Sequence, residues 1–152
     1  MSRPASIHAT AVLIGEAGVI IRGRSGAGKS ALALALIAAA RRRGLFARLV
    51  GDDRLRLSAR HGRLLIAGHP AVAGWIERRG QGVEAMEHEI AAVARLAVDL
   101  VAAGEAAPRL PDEKERRISL LGIEMARMAL AARGSAEDQA EAVLARLAGG
   151  MR

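Results

Sequence analysis

Apolar and polar residues follow two different periods along the chain, and short glycine-containing turns separate the segments. Residues 7–14 predict a β-strand, residues 15–18 a turn and residues 19–22 a second strand, an order typical of a hairpin. From 30 to 43 the apolar residues run almost all round a helical surface, with three arginines in the last turn and Gly44 just beyond. This predicted helix is therefore expected to be mostly buried.

The next segments read as short strands joined by tight turns. Residues 46–50 predict a strand that ends at a Gly-Asp-Asp sequence, and leucines on both sides of His61–Gly62 predict a hairpin over 55–66. Residues 70–77 are expected to form a short helix that leads into a glycine-spaced loop.

The last third of the chain is less regular. Residues 91–101 favour a strand over a helix, the proline-containing stretch 106–114 predicts a loop, and residues 118–130 are compatible with either strand or helix. Ser135, followed three residues later by an acidic residue, resembles a helix-capping box and predicts a helix over 136–147.

Composition restricts the class of protein. A length of 152 residues is close to the roughly 150 typical of one domain, so we expect a single domain spanning 1–152. The chain is 51% hydrophobic and 26% charged, which excludes wholesale disorder. Its only aromatic residues are Phe46 and Trp75, which largely excludes a nucleic-acid module that stacks bases. Because cysteine is absent, disulfides and cysteine nucleophiles are excluded.

The net charge and the absence of targeting signals limit the partners and the cellular compartment that we expect. A net charge of +7 suits an anionic ligand, an acidic protein surface or nucleic-acid phosphates, and charge alone does not choose among them. The first residues lack the pattern of a signal peptide, and no apolar run reaches the roughly 18 residues of a membrane span. We expect a soluble cytoplasmic protein with no membrane or nucleic-acid partner.

The clearest motif follows the second predicted strand and opens the first predicted helix. It reads Gly23-Arg24-Ser25-Gly26-Ala27-Gly28-Lys29-Ser30 and matches G-x-x-x-x-G-K-S in the context that a phosphate-binding loop requires. Its glycines let backbone N–H groups surround a phosphate, Lys29 can reach the β and γ phosphates, and the Ser30 hydroxyl can hold magnesium. Lys29 and Lys114 are the only lysines of the chain, and nearly every other cationic side chain is arginine. We therefore expect position 29 to require an ammonium group rather than any positive charge.

Two adjacent carboxylates follow the next strand. If that strand runs parallel to the one before the phosphate-binding loop, Asp52 and Asp53 emerge at the same edge of the sheet as the phosphates. One of them could accept a proton from a substrate hydroxyl while the other orients a partner or magnesium. The alternative is an aspartate-rich turn whose side chains cap backbone N–H groups.

A second charged stretch lies near Glu77. It could place the Glu77 carboxylate by a metal ion and the guanidinium group of Arg79 by the transferring phosphoryl oxygens, next to Gly80. A solvated charge run is the alternative, and for Arg78 it is the preferred one.

The order of these features resembles the catalytic domain of HPr kinase/phosphorylase. The resemblance rests on His8-Ala9-Thr10, the phosphate-binding loop, Val50-Gly51-Asp52-Asp53 and Glu77-x-Arg79-Gly80-x-Gly82, and it spans nearly the whole chain. The short length is similar to alphaproteobacterial forms that lack the separate N-terminal regulatory domain. The resemblance implies an α/β fold with a mixed sheet and flanking helices, related to P-loop and phosphoenolpyruvate-carboxykinase-like proteins.

The resemblance also implies a reaction and its participants. A protein of this family transfers phosphate from Mg-ATP, or from pyrophosphate as an alternative donor, to a serine of the phosphocarrier protein HPr of a phosphotransferase system. By resemblance, Asp52 is the base for the serine hydroxyl, with Asp53 and His8 as neighbours. Lys29 holds phosphate, and Ser30 and Glu77 hold Mg²⁺.

Two further arginines enter by the same resemblance. An active-site arginine corresponds to Arg109, and the family's C-terminal loop of Arg-Pro-Gly-Arg-Asn type is reduced here to Arg133-Gly134-Ser135. The resemblance associates that loop with contacts to the protein substrate or phosphate, at Arg133 here, and with the reverse reaction, phosphorolysis of the seryl phosphate. The sequence therefore leaves open whether phosphorolysis is retained. Many family members are hexamers, but nothing in this sequence fixes an interface.

Two other functions share part of these features. A small-molecule P-loop kinase would use the same Lys29 and Ser30 but needs a lid arginine and an enclosed acceptor pocket. A regulatory module would bind ATP and signal without transferring phosphate, and it would not depend on Asp52 for turnover.

Overall fold

Within residues 4–102 and 116–150, which the computed structural model describes, the chain forms eleven β-strands and two α-helices. The strands are Ala5–Ile7 (β1), Thr10–Ile14 (β2), Ala17–Arg22 (β3), Ala47–Gly51 (β4), Leu55–Arg60 (β5), Arg63–Gly68 (β6), Trp75–Arg78 (β7), Gly82–Ala85 (β8), Ala91–Val101 (β9), Arg117–Leu120 (β10) and Ile123–Ala131 (β11). The helices are Lys29–Arg42 (α1) and Ala136–Ala148 (α2).

Nine strands form one mixed sheet. Seven of them follow the order β1-β5-β6-β9-β3-β2-β4, and β10 and β11 join through the pairing of β11 with β9. The long strand β9 organises this sheet, because it pairs antiparallel with β6 near its start and parallel with both β3 and β11 further along. The predicted mixed α/β fold is therefore confirmed, while β7 and β8 form a separate antiparallel hairpin.

The strand directions bring several carboxyl ends to one edge of the sheet. β3, β9 and β11 are parallel, and β4 runs in the same direction as β3 because each of them is antiparallel to β2. The condition stated from the sequence, that β4 runs parallel to β3, is therefore met, although β2 lies between the two strands. The expected consequence still holds, since the phosphate-binding loop after β3 and the two aspartates after β4 emerge at the same edge.

Apolar side chains are buried on both faces of the sheet. One cluster joins the two helices to the sheet and includes Leu32, Leu36, Val143, Leu144, Val19 and Ile21. The second cluster lies on the opposite face, where the sheet curls over itself, and includes Ile20, Leu55, Leu57, Leu64 and Ile66. Each such fully buried leucine or isoleucine contributes about 1.5–3 kcal/mol to folding, so the two clusters together fix the strands that carry the site.

Two predicted elements differ from the structure. The strand expected over 7–14 is divided at His8, because β1 pairs with β5 whereas β2 pairs with β3 and β4. The helix expected over 70–77 is wrong: only Pro70–Val72 form one 3-10 turn, and Gly74, with a φ of 77°, turns the chain into β7.

Several other predictions of secondary structure are confirmed and one open segment is resolved, whereas the loop predicted over 106–114 lies outside the described residues. The hairpin at His61–Gly62 forms with φ values of 49° and 74°, the two positive angles that a two-residue hairpin turn favours. Residues 91–101 form a strand, and the ambiguous segment 118–130 lies in the antiparallel strands β10 and β11. The Ser135 Oγ accepts a hydrogen bond from the N–H of Asp138 at 3.1 Å and caps α2 as predicted.

Candidate active site

The phosphate-binding loop joins β3 to α1. Gly26 and Gly28 adopt φ values of 82° and 101°, which only glycine reaches without strain, so the loop can fold tightly over the start of the helix. α1 has no side-chain cap and no acidic residue in its first turn. The positive end of its dipole is therefore available to an anion.

The Lys29 side chain is held back against this loop. Its Nζ donates to the carbonyl oxygens of Gly23 at 2.9 Å and Arg24 at 3.1 Å. These contacts keep the ammonium group beside the loop, where a lysine is placed to reach bound phosphates.

The Asp52 carboxylate is the most connected group of the site. It is only 6% exposed, and its Oδ1 accepts hydrogen bonds from the Thr10 hydroxyl at 2.8 Å and the Ser30 hydroxyl at 2.7 Å. Its Oδ2 accepts from the backbone N–H of Glu77 at 3.1 Å. Asp52 thus links β2, the phosphate-binding loop and the β7–β8 hairpin.

A close approach of two backbones positions this carboxylate. A Cβ atom on Gly68 would lie 2.7 Å from the carbonyl oxygen of Val50, and one on Gly51 would lie 2.8 Å from the Gly68 Cα. Only glycines allow the ends of β4 and β6 to pass this closely. The packing thereby fixes where the chain leaves β4 and enters the aspartate pair.

Asp53 differs from Asp52 although the two are adjacent. Asp53 is exposed, and its φ of 64° is uncommon for a residue other than glycine. Its backbone N–H lies 3.5 Å from the Thr10 hydroxyl, and the Arg54 N–H donates to the Asp52 carbonyl oxygen at 2.7 Å. This tight turn directs the two aspartates to different surroundings, one buried and one open.

The β7–β8 hairpin contributes the other predicted charged groups. Glu77 is exposed and shares its strand with Arg78, which pairs with Glu84 at 2.6 Å. The hydrogen bond and the charge of Glu84 raise the pKa of Arg78 above its ordinary value. Arg79 and Gly80 lie in the exposed turn of the hairpin.

The predicted site residues are only partly brought together. The phosphate-binding loop, Lys29, Ser30, Asp52 and Asp53 form one cluster, and Glu77 joins it through its backbone. Arg133 follows β11 and therefore lies at the same sheet edge, where it is exposed. Arg109 lies outside the described residues.

The segment before β2 contributes in a way that the sequence interpretation missed. His8 is exposed and shows no polar contact with the aspartate pair, whereas Thr10, two residues later, is fully buried and donates to Asp52. The signal available in the sequence was a hydroxyl side chain at the start of an apolar strand, two residues after the histidine.

A second carboxylate next to the loop was also missed. Asp99 on β9 binds Arg22 of β3 at 2.7 Å and Arg127 of β11 at 2.6 Å, which ties together the three parallel strands. Burial acts to raise the pKa of Asp99, but the hydrogen bonds and charges of the two arginines outweigh it and leave the pKa below its ordinary value.

The donors of the site suit a small hard cation better than a transition metal. Mg²⁺ prefers oxygen ligands, and the Ser30 hydroxyl and Asp52 carboxylate lie in contact, with the exposed Glu77 carboxylate on the adjoining hairpin. Over 4–102 and 116–150, no group of three or more His, Asp or Glu side chains forms a metal cluster of its own. Among the same residues, no helix is both long and apolar enough to cross a membrane.

The strand–loop–helix unit with its lysine, serine and neighbouring aspartates has the form of a phosphate-binding P-loop. The family model of the HPr serine kinase C-terminal domain matches residues 1–131, so the chain belongs to that family. The resemblance drawn from the sequence is therefore confirmed.

Two individual proteins are similar to this chain. An HPr kinase/phosphorylase of Mycoplasma mycoides subsp. mycoides is 39% identical over 82 residues, which cover 54% of this chain but only 24% of the relative. The structure of the Hpr(Ser) kinase/phosphatase from Coxiella burnetii matches with a TM-score of 0.78 at 23% identity and covers 95% of this chain and 97% of that chain. The structural match supports the fold.

Proposed function

We propose that this protein is a magnesium-dependent serine kinase that transfers the γ-phosphate of ATP to the phosphocarrier protein HPr in the cytoplasm. The observation that carries the proposal is the hydrogen bond of 2.7 Å between Ser30 of the phosphate-binding loop and Asp52. This bond joins the expected phosphate site to the expected carboxylate pair at one sheet edge. Membership of the HPr serine kinase family supplies the substrate class.

The residues of the loop would bind and orient ATP. Backbone N–H groups of Gly26 to Ser30 and the open start of α1 suit the β and γ phosphates, and Lys29 needs only to exchange its two carbonyl partners for phosphate oxygens. Bound Mg²⁺ would neutralise phosphate charge. Ser30 and Glu77 would hold it, and Asp52 would orient the Ser30 hydroxyl.

The geometry favours a division of labour between the two aspartates that differs from the one implied by resemblance. Three donors already occupy the buried Asp52 carboxylate, which suits an orienting role. No described residue engages the side chain of the exposed Asp53, so it has room to accept the proton of an incoming serine hydroxyl. We therefore assign the base to Asp53 and the support of the metal site to Asp52.

Transfer of labelled γ-phosphate from Mg-ATP to HPr of the same organism tests the proposed function. We expect label on an HPr serine with the wild type, and a loss with Lys29→Ala but not with Lys114→Ala, the matched change at the only other lysine. No label from a wild-type protein that binds ATP would move the function to a small-molecule acceptor or a signalling role.

Single substitutions separate the two aspartates. Asp53→Asn should abolish transfer while the affinity for Mg-ATP stays within about twofold of the wild type, because only the proton acceptor is lost. Asp52→Asn should also lower the rate of transfer. Unlike Asp53→Asn, it should raise the Mg²⁺ concentration needed for half-maximal activity. Asp138→Asn in the first turn of α2 is the control. An Asp53→Asn variant with wild-type turnover would contradict the assignment of the base.

A further inference from the structure

Four arginines follow one another along the outer surface of the β5–β6 hairpin. Leu55 and Leu57 point into the second core cluster, so the alternate positions of β5 face outward. Arg56 and Arg60 occupy this outer face and are exposed. Arg54 precedes β5 with the same parity, and Arg63 lies directly opposite Arg60 on β6. We call these four residues, Arg54, Arg56, Arg60 and Arg63, the arginine row.

In the part of the chain that the structure describes, no acidic side chain pairs with the arginine row. Residues 54–76 contain four arginines and two histidines but no aspartate or glutamate. Within residues 4–102 and 116–150, none of the four forms an ion pair, whereas Arg22, Arg43, Arg48 and Arg78 each pair with a carboxylate. The cross-strand pair Arg60–Arg63 is even mildly destabilising, because like charges directly opposite each other repel.

The arginine row is continuous with the candidate active site. Arg54 follows Asp53 directly in the chain, and the row then extends away from the aspartate pair along β5. At roughly 3.3 Å per residue, the distance from Arg56 to Arg60 along the strand is about 13 Å. That length matches a contact with a folded macromolecule better than a contact with one small anion.

We propose that the arginine row is the docking surface for an acidic patch on the protein acceptor, placed so that docking brings the acceptor hydroxyl toward Asp53. The inference rests on the proposed kinase function and adds the surface and the charge by which the acceptor is recognised. Single-stranded nucleic acid fits less well, because the chain has one tryptophan, one phenylalanine and no tyrosine to stack on bases. Electrostatic complementarity of this kind acts mainly on the rate of encounter and on the choice of partner.

A pair of double variants tests the proposal. Arg56→Glu/Arg60→Glu reverses two charges of the row, and Arg42→Glu/Arg95→Glu reverses two exposed charges outside the row, one on α1 and one on β9, so both change the net charge by the same amount. We measure kcat and KM for HPr, KM for ATP and salt dependence, and we check folding by thermal unfolding. The row variant should raise KM for HPr about tenfold at low ionic strength with KM for ATP unchanged. Added salt should shrink this difference, and the control variant should stay within about twofold of wild type.

The outcomes separate this inference from the proposed function. A wild type that labels HPr together with equal KM values in the two double variants would overturn the docking surface and leave the kinase intact. A wild type that does not label HPr would overturn both. Tight binding of a 20-base-pair DNA duplex that the row variant loses, while its KM for HPr is unchanged, would reassign the surface to nucleic acid.

Discussion

Two carboxylates at the same edge of the sheet, Asp52 and Asp99, have opposite surroundings. Asp52 accepts hydrogen bonds from two hydroxyls and one backbone N–H, all neutral donors. Asp99 binds two guanidinium groups, those of Arg22 and Arg127. Neutral donors orient a carboxylate and leave its charge available to a cation, whereas arginines neutralise it. The surroundings of Asp52 therefore suit a role in catalysis, whereas those of Asp99 suit a role in holding neighbouring strands together.

Of these two carboxylates, Asp52 is expected to have the larger effect on activity when its charge is removed. Asp52→Asn should lower kcat for HPr phosphorylation by about 10²–10³-fold, because the site loses electrostatic support for the transferring group. Its free energy of unfolding should fall by only about 1 kcal/mol, because an amide oxygen at the Oδ1 position still accepts from the Thr10 and Ser30 hydroxyls and only the Glu77 N–H loses its acceptor. Label transfer and urea unfolding measure the two quantities. Equal loss of kcat in Asp99→Asn, with unchanged stability, would remove the distinction between the two carboxylates.

Removing the charge of Asp99 should instead lower the stability of the fold. Asp99→Asn should lower the free energy of unfolding by about 1–3 kcal/mol, because Arg22 and Arg127 lose their common counter-charge while remaining partly buried. The value of kcat per folded molecule should stay within about threefold of wild type. Urea unfolding followed by circular dichroism provides the measurement, with Asp138→Asn as the exposed control. An unchanged unfolding midpoint would show that Asp99 does not stabilise the strands.

The pH dependence of stability sharpens the same contrast. The two arginines hold the pKa of Asp99 below its ordinary value in the folded protein. Its contribution is therefore fully present above the unfolded-state pKa of about 4 and is lost as the pH falls through the lower folded-state value. The difference in Tm between wild type and Asp99→Asn should be constant from pH 7 to 6 and should narrow toward pH 3. A difference that widens on acidification would contradict the ion pair.

The smallest effect should come from Ser135, whose side chain caps α2 and is not among the hydrogen-bond partners of either carboxylate. Ser135→Ala removes the side-chain cap of α2 and should cost about 1 kcal/mol of stability without altering transfer to HPr. Ser119→Ala, an exposed strand position, is the matched control. Thermal unfolding compares the two variants. A loss of activity in Ser135→Ala at full folding would show that the start of α2 contributes to the site and would contradict a role in stability alone.

Much of the site could be predicted because it is local in sequence. Gly23 to Ser30 requires only a preceding strand and a following helix, and both are readable from hydrophobic periodicity. The turn at Asp52–Asp53 was visible for the same reason. By contrast, the contacts of Thr10 with Asp52 and of Asp99 with two arginines join strands far apart in the chain, and no local pattern reports such pairings.

The two wrong predictions of secondary structure also arise from pairings that no local pattern reports. Residues 70–77 carry a plausible helical composition, but pairing of β7 with β8 outweighs that weak local preference and forms a strand. The strand predicted over 7–14 was divided at His8 because its two halves have different pairing partners.

The sequence by itself determined the phosphate-binding loop, its lysine and serine, the adjacent aspartate pair and the family. Only the tertiary structure decided which aspartate is buried, that Glu77 reaches the site through its backbone, and that four arginines form one outward row. The physical reason is that a motif specifies which atoms are present over a few residues. Strand order and burial, which depend on the whole chain, specify which of these atoms meet and which remain open to a partner.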